Sequence, residues 1–102
     1  METRKIAVEQ VLSPGVVRGN DGVLYVLRGL PDVQEDVPTL GDATLHVQSR
    51  LLNAEVLIDE DTAIELPDLP GWEIDILDMN KQHLNPQLAA EVSGVLVRHP
   101  MP

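Results

Sequence analysis

Cysteine and phenylalanine are absent from this 102-residue sequence, and tyrosine and tryptophan occur once each, as Tyr25 and Trp72. Without cysteine, the chain has no disulfide framework, no cysteine-based zinc site and no thiol nucleophile. With so few aromatic side chains, the core has to be built from valine, leucine, isoleucine and alanine. Valine is β-branched and fits strands better than helices, so the composition indicates a β-rich protein.

Positive charge is also scarce, since seven Lys and Arg residues stand against 17 Asp and Glu residues, for a net charge of −10. The imbalance lies in the middle of the chain, where residues 32–78 hold thirteen acids and one base, Arg50. No Lys/Arg cluster is present to release counterions from phosphates, which argues against direct nucleic-acid binding. A basic partner, a cation or solubility alone would each explain the charge.

Long apolar runs are missing as well. The basic N-terminal stretch METRKIAVEQVL is not followed by an apolar run of signal-peptide length, and no window approaches a membrane span. We therefore expect no membrane partner. The expected location is the cytoplasm, or a particle that is assembled inside the cell.

The clearest local signal is a hairpin at GVVRGNDGVLYVLRGL (15–30). Two valine-rich runs surround Asn20-Asp21-Gly22, and Asp-Gly is typical of a tight turn. Further strands are predicted at 5–13, 43–49 and 54–58, with a loop at 31–42.

The C-terminal part carries the only helix signal. Asn85-Pro86 is typical of a helix start and Gly94 of a helix stop, with a last strand predicted at 95–99. The predicted fold is mostly β. It is a single-domain barrel or sandwich of about 5–7 short antiparallel strands with one short helix near 86–93.

The segment DEDTAIELPDLPGWEIDILD (59–78) holds eight carboxylates and no Lys or Arg. It can form an antiparallel hairpin closed by the loop 67–71, with Glu65 facing Glu73 on a polar face. Like charges that face each other cost up to about 1 kcal/mol, although solvent and salt screen much of this. Trp72 either anchors the hairpin in the core or, if it points outward, is an interface residue beside Leu69.

This carboxylate face is either a solvated surface that keeps the protein soluble or a contact surface for Lys and Arg of a partner. The candidate partner-binding residues are Asp59, Asp61, Glu65, Asp68, Leu69, Glu73 and Asp75.

Catalytic and metal signatures are missing. Asp59, Asp61 and Glu65 faintly resemble a calcium loop, but its glycine and its twelve-residue spacing are missing. The histidines have no zinc-site spacing, and the serines lie outside any nucleophile elbow; these residues are His46, His83, His99, Ser13, Ser49 and Ser93. We therefore expect no catalytic residue, no metal site, no cofactor and no enzymatic activity.

The expected function is that of a non-enzymatic structural or assembly subunit that acts through protein–protein contacts. Its ends, METRK and VRHPMP, are too polar or too rich in proline to order themselves strongly, and packing against neighbouring copies or a larger particle would hold them. A virion decoration or connector protein is one such particle component. The alternative is an acidic binding module, or a nucleic-acid-mimic inhibitor, that blocks the basic surface of a partner protein.

Overall fold

The computed structural model describes residues 2–30, 37–68 and 70–98. Within these segments there are seven strands and two helices: α1 follows the first three strands, and α2 follows the last four. In chain order they are β1 (Thr3–Ser13), β2 (Val16–Gly19), β3 (Leu24–Leu27), α1 (Val37–Leu51), β4 (Glu55–Asp59), β5 (Ile64–Glu65), β6 (Gly71–Ile74), β7 (Ile76–Leu77) and α2 (Asn85–Arg98).

The seven strands form one mixed sheet in the order β5-β6-β3-β2-β1-β4-β7. Strands β3 and β6 run parallel, and the other pairs are antiparallel. The β-rich prediction is therefore confirmed, whereas the barrel or sandwich of antiparallel strands is wrong, because this sheet is single, mixed and not closed. The parallel pair arises because β3 and β6 are joined by the long segment that contains α1, β4 and β5, and such a crossover allows parallel pairing.

The sheet curls strongly around its inner face. Strands β6 and β7 are separated in the chain only by Asp75, yet β6 pairs with β3 and β7 with β4. The backbone N–H of Arg28 donates to the Ile74 carbonyl at 3.0 Å, and the N–H of Asp59 donates to the Asp75 carbonyl at 3.0 Å. The ends of β3 and β4 are thus both held to the same short stretch of chain.

The first three strands follow the predicted pattern. β2 and β3 form the predicted hairpin, with Val17 facing Tyr25. Gly22 in its turn has a φ of 80°, a left-handed conformation that glycine adopts without strain. β1 pairs with β4 through its first half and with β2 through its second half, and two register irregularities in the second half fit the curl of the sheet.

Helix α1 replaces a predicted strand. The strand expected at 43–49 is wrong, and so is the loop over 37–42, because both lie in α1; residues 31–36 of that loop lie outside the described residues. The inward stripe of the helix consists of Ala43, Val47 and Leu51, which are at most 2% exposed. Their spacing of four residues is that of one helix face, and this face packs on the core.

Helix α2 begins at Asn85, which confirms the predicted start, but it continues to Arg98. The stop at Gly94 and the strand over 95–98 are therefore wrong, and residues 99–102 lie outside the described part of the chain. A glycine inside a helix costs only about 1 kcal/mol relative to alanine, which tertiary packing can offset. Leu88 and Val92 provide that packing, since both are fully buried.

One hydrophobic cluster joins the inner face of the sheet to both helices. Among the described residues, neither helix is long and apolar enough to cross a membrane. The core has one buried aromatic side chain, Tyr25, which is 1% exposed. Trp72 lies on the neighbouring strand directly beside it, and this pair leads to the candidate site.

Candidate functional site

The acidic segment folds into the predicted hairpin, β5 with β6, but in a different register. Ile64 faces Glu73 and Glu65 faces Trp72, so the predicted pairing of Glu65 with Glu73 is wrong by one residue. The shift arises because the N–H of Leu66 donates to the Gly71 carbonyl at 3.0 Å, which makes the connection 67–70 instead of 67–71. The observed register avoids two carboxylates directly facing each other, which would destabilise the pair.

Trp72 lies at the rim of the curled sheet. Trp72 and Ile74 are two residues apart on β6, so their side chains point to the same, inner face of the sheet. There Ile74 is fully buried, while Trp72 is 39% exposed. Trp72 is therefore neither a fully buried core anchor nor an outward-pointing side chain, because it lies on the inner face and is still partly exposed. Leu69, its predicted companion, lies outside the described residues.

A cavity of about 290 Å³ opens beside Trp72, and we call it the Trp72 cavity. Most of its wall is apolar, and Arg4 and Glu60 carry its charge. Its lining residues are Arg4, Tyr25, Ile58, Glu60, Ala63, Trp72 and Ile74. Strands β1, β3, β4 and β6 thus all contribute to one concave site, which is where a mostly apolar pocket with a few polar groups typically binds a ligand.

Arg4 organises the polar side of this cavity. Its Nε lies 2.8 Å from Glu60 Oε1, its Nη1 lies 3.1 Å from Asp21 Oδ2, and its Nη2 donates to the Tyr25 hydroxyl at 2.9 Å. The Tyr25 hydroxyl in turn donates to Asp21 Oδ2 at 2.5 Å. One guanidinium is therefore shared by two carboxylates and a phenol, which leaves the group with a net charge of −1.

The pKa values of this network follow from its contacts. The hydrogen bonds to Tyr25 and Asp21 raise the pKa of the Arg4 guanidinium. Burial, and then the hydrogen bond to Asp21, raise the pKa of Tyr25. Burial alone would raise the pKa of Asp21, but the hydrogen bonds from Tyr25, the Val23 N–H and Arg4 together lower it.

A second cavity, of about 490 Å³, also borders Trp72. It is lined by Arg18, Gly22, Val23, Leu24, Glu65, Pro70, Gly71 and Trp72. Trp72 therefore forms a wall of both cavities, and Glu65 borders the second one. We use the name Trp72 surface for Trp72 together with the exposed carboxylates Glu60, Glu65 and Asp68.

Arg28 neutralises part of the acidic segment. Its Nη1 lies 2.5 Å from Asp75 Oδ2, and its Nε lies 4.0 Å from Glu73 Oε1. Its Nη2 also donates to the Thr62 carbonyl at 2.6 Å, and the Thr62 hydroxyl donates to Asp75 at 3.0 Å. Of the predicted partner-binding residues, Asp75 and Glu73 are thus already held by an arginine of the same chain.

The remaining predicted partner-binding residues differ from one another in burial and in hydrogen bonding. Asp59 is 4% exposed, and its Oδ1 accepts a hydrogen bond from the Asp61 N–H at 3.0 Å, so it lies in the interior of a turn. The Asp61 carboxylate accepts a hydrogen bond from the Glu2 N–H at 3.0 Å. Glu65 and Asp68 are exposed; Glu65 lies at the end of β5, and Asp68 lies in the connection 67–70.

Sequence reasoning missed the arginines that organise this region, Arg4 and Arg28. A signal exists for Arg4, because it continues the inward alternation of Ile6 and Val8 on β1 and so places a charge on the apolar face. No such signal exists for Arg28, which follows β3 and meets the acidic segment only through the parallel pairing of β3 with β6.

The described residues contain no group of three or more His, Asp or Glu side chains that could hold a metal ion. His46 lies on α1 and not on the predicted strand, and its Nε2 is 2.7 Å from Glu91 Oε1 on α2. Arg50 Nη2 lies 3.5 Å from the other oxygen of Glu91. This cluster joins the two helices.

The sequence matches no protein-family model and no curated protein. An exposed tryptophan between two cavities, bordered by carboxylates, is suited to binding a partner that offers apolar surface and positive charge.

Proposed function

We propose that this protein is a non-enzymatic assembly subunit that binds another protein through its Trp72 surface. The partner presents a basic surface, or is a further copy of the same chain that does so. In this proposal the protein is one component of a larger particle assembled inside the cell, such as a virion that carries decoration or connector proteins.

The observation that carries the proposal is the position of Trp72. Large aromatic side chains are enriched in protein interfaces and often supply much of the binding free energy. Trp72 is 39% exposed although it shares a face with the fully buried Ile74, and it stands between two cavities instead of filling one. A binding partner would cover it.

The charge around Trp72 supports a basic partner. Glu65 faces Trp72 across the hairpin, Glu60 lines the cavity beside it, and Asp68 lies in the connection that precedes it. Complementary charge speeds association and fixes the orientation of a complex more than it raises affinity. The carboxylates would then steer the partner, and Trp72 would hold it.

The nucleic-acid-mimic inhibitor receives less support from the same contacts. A mimic needs carboxylates that stand free in the place of phosphates. Arg28 already neutralises Asp75, and Arg4 neutralises Glu60 in part. The charge that remains exposed surrounds an apolar cavity, which suits a protein surface better than a phosphate-binding groove.

The test is native mass spectrometry of the full chain purified from its source at low ionic strength. We expect a complex heavier than the 11.2 kDa monomer, and we expect it to dissociate as salt is raised. Glu65→Lys and Trp72→Ala should each release the partner. Glu9→Lys is the matched control, because Glu9 is exposed on β1 and lines neither of the two cavities beside Trp72. A monomer at every ionic strength would contradict the proposal.

A further inference from the structure

We infer that the Trp72 cavity receives a single lysine or arginine side chain of the basic partner. The inference rests on the proposed function and names the chemistry of its anchor. The cavity would enclose the aliphatic stem of that side chain, and its charged end would lie among Trp72, Glu60 and the Arg4 network.

The size of the cavity fits one side chain. Its volume is about 290 Å³, just below the range of about 300–1,000 Å³ in which small-molecule and cofactor sites are found. Ala63, Ile58 and Ile74 provide apolar wall for a methylene chain. Lysine and arginine commonly bury such stems along apolar surface while the charge stays near solvent.

Two groups at the cavity attract a cation. Trp72 lines the cavity, and tryptophan is the aromatic side chain that binds ammonium and guanidinium groups most strongly. Glu60 lies at the same cavity, and its side chain is 40% exposed, so its carboxylate can accept bonds besides the one from Arg4.

Arg4 does not cancel this attraction. Its guanidinium is shared by Glu60, Asp21 and the Tyr25 hydroxyl, at distances between 2.8 and 3.1 Å. Because two carboxylates offset one guanidinium, the network carries a net charge of −1. A carboxylate ligand would therefore meet net repulsion, whereas a cation would meet net attraction.

The direct test uses short peptides and the intrinsic fluorescence of Trp72, which is the only tryptophan in the chain. The probes are acetyl-Ala-Lys-Ala-amide and its arginine equivalent. The controls replace the basic residue by norleucine, which keeps the stem without the charge, or by glutamate. We expect saturable fluorescence changes with lysine and arginine, and at least about tenfold weaker binding of both controls. Equal binding of the norleucine peptide, or no binding of the basic peptides, would overturn the inference.

Two variants test separately whether peptide binding depends on the shape of the cavity and on its charge. Ala63→Leu fills the cavity without changing any charge, and we expect it to weaken lysine-peptide binding about tenfold or more. Its matched control is Ala54→Leu, since Ala54 is also half-buried and lines a separate cavity of about 260 Å³ beside Met79 and Leu84. Glu60→Gln keeps an acceptor for Arg4 but removes the charge, and it should weaken lysine binding more than norleucine binding. Melting temperatures confirm that each variant is folded.

The same variants distinguish failure of this inference from failure of the proposed function. If Ala63→Leu keeps the native complex while Glu65→Lys releases it, the protein binds a basic partner but the cavity is not the anchor. If Ala63→Leu releases the complex and Ala54→Leu retains it, the inference stands. If no complex forms and the basic peptides do not bind, both fail.

Discussion

At the scale of single residues, Tyr25 links the apolar core to the charged rim. Its side chain is 1% exposed, so the ring is packed in the core, while its hydroxyl donates to Asp21 and accepts from Arg4. A buried hydroxyl without such partners would cost free energy, and here the partners are Asp21 and Arg4, of which Arg4 lines the Trp72 cavity. The composition identified Tyr25 as unusual, but only the fold reveals its partners.

The pKa shifts of this network predict a stability plateau with two limits. The pKa of Asp21 is lowered from its ordinary value of 3.8, so its contribution is present above that value and is lost as the pH falls through the folded pKa. The pKa of Tyr25 is raised from 10.0, so its contribution is present below pH 10.0 and is lost as the pH rises through the folded pKa. Thermal unfolding as a function of pH measures both limits.

Single variants assign each limit to its residue. Tyr25→Phe should lower the free energy of unfolding at neutral pH by about 1 kcal/mol and should flatten the alkaline decline. Asp21→Asn should reduce the acid decline relative to the wild type. If the plots of unfolding free energy against pH stay parallel for variant and wild type over the whole pH range, this network does not contribute to either limit.

At the scale of elements, local patterns succeeded where the pairing was local. The β2–β3 hairpin and the start of α2 at Asn85 depend on turn and capping residues next to them, and both were predicted. Helix α1 was missed because the alternation of Leu45 and Val47 resembles a strand. In the structure Leu45 is 59% exposed, and Val47 belongs to the helical stripe with Ala43 and Leu51. Pro38 lies in the first turn of α1, where proline is tolerated, although it reads as a loop signal in the sequence.

Local sequence patterns did not predict how strands that are distant in the chain pair with each other. The register of β5 with β6 was predicted one residue away from the observed one, and the parallel pairing of β6 with β3 was not predicted. Both depend on Gly71, where the chain approaches β3 so closely that a Cβ would lie 2.5 Å from the Leu24 carbonyl oxygen. The predicted hairpin assigned this glycine to its loop, whereas the structure uses it as the first residue of a strand.

Gly71→Ala should therefore weaken the pairing of β3 with β6. The added methyl group would collide with the Leu24 backbone, which cannot move away as a flexible side chain can, so we expect a loss of about 1–3 kcal/mol in the free energy of unfolding. Gly15→Ala is the control, since its Cβ would meet Leu30 at an ordinary 3.6 Å. Urea denaturation compares the two variants. A loss in Gly15→Ala as large as that in Gly71→Ala would contradict this explanation.

At the scale of the whole molecule, the fold brings charge of both signs together. The acidic segment 59–78 contains no base of its own, yet Arg4 and Arg28 reach it from the nearly balanced N-terminal part of the chain. The sequence predicted where the negative charge lies but not which carboxylates are neutralised. That outcome depends on the curl of the sheet, and it leaves two exposed acids: Glu65, which faces Trp72, and Asp68, which lies in the connection before Trp72.

The net charge of −10 predicts how the stability depends on salt. Repulsion among unpaired carboxylates is screened as ionic strength increases, so the melting temperature should rise between about 10 mM and about 500 mM salt. Glu65→Lys replaces a negative charge of the acidic segment by a positive one, and it should raise the free energy of unfolding at low salt by up to about 1 kcal/mol. Glu9→Lys makes the same change within residues 1–31, where acids and bases nearly balance, and should have the smaller effect. At high salt the two variants should have the same change in the free energy of unfolding relative to the wild type. A difference that persisted there would mean that packing, and not repulsion across the acidic segment, separates them.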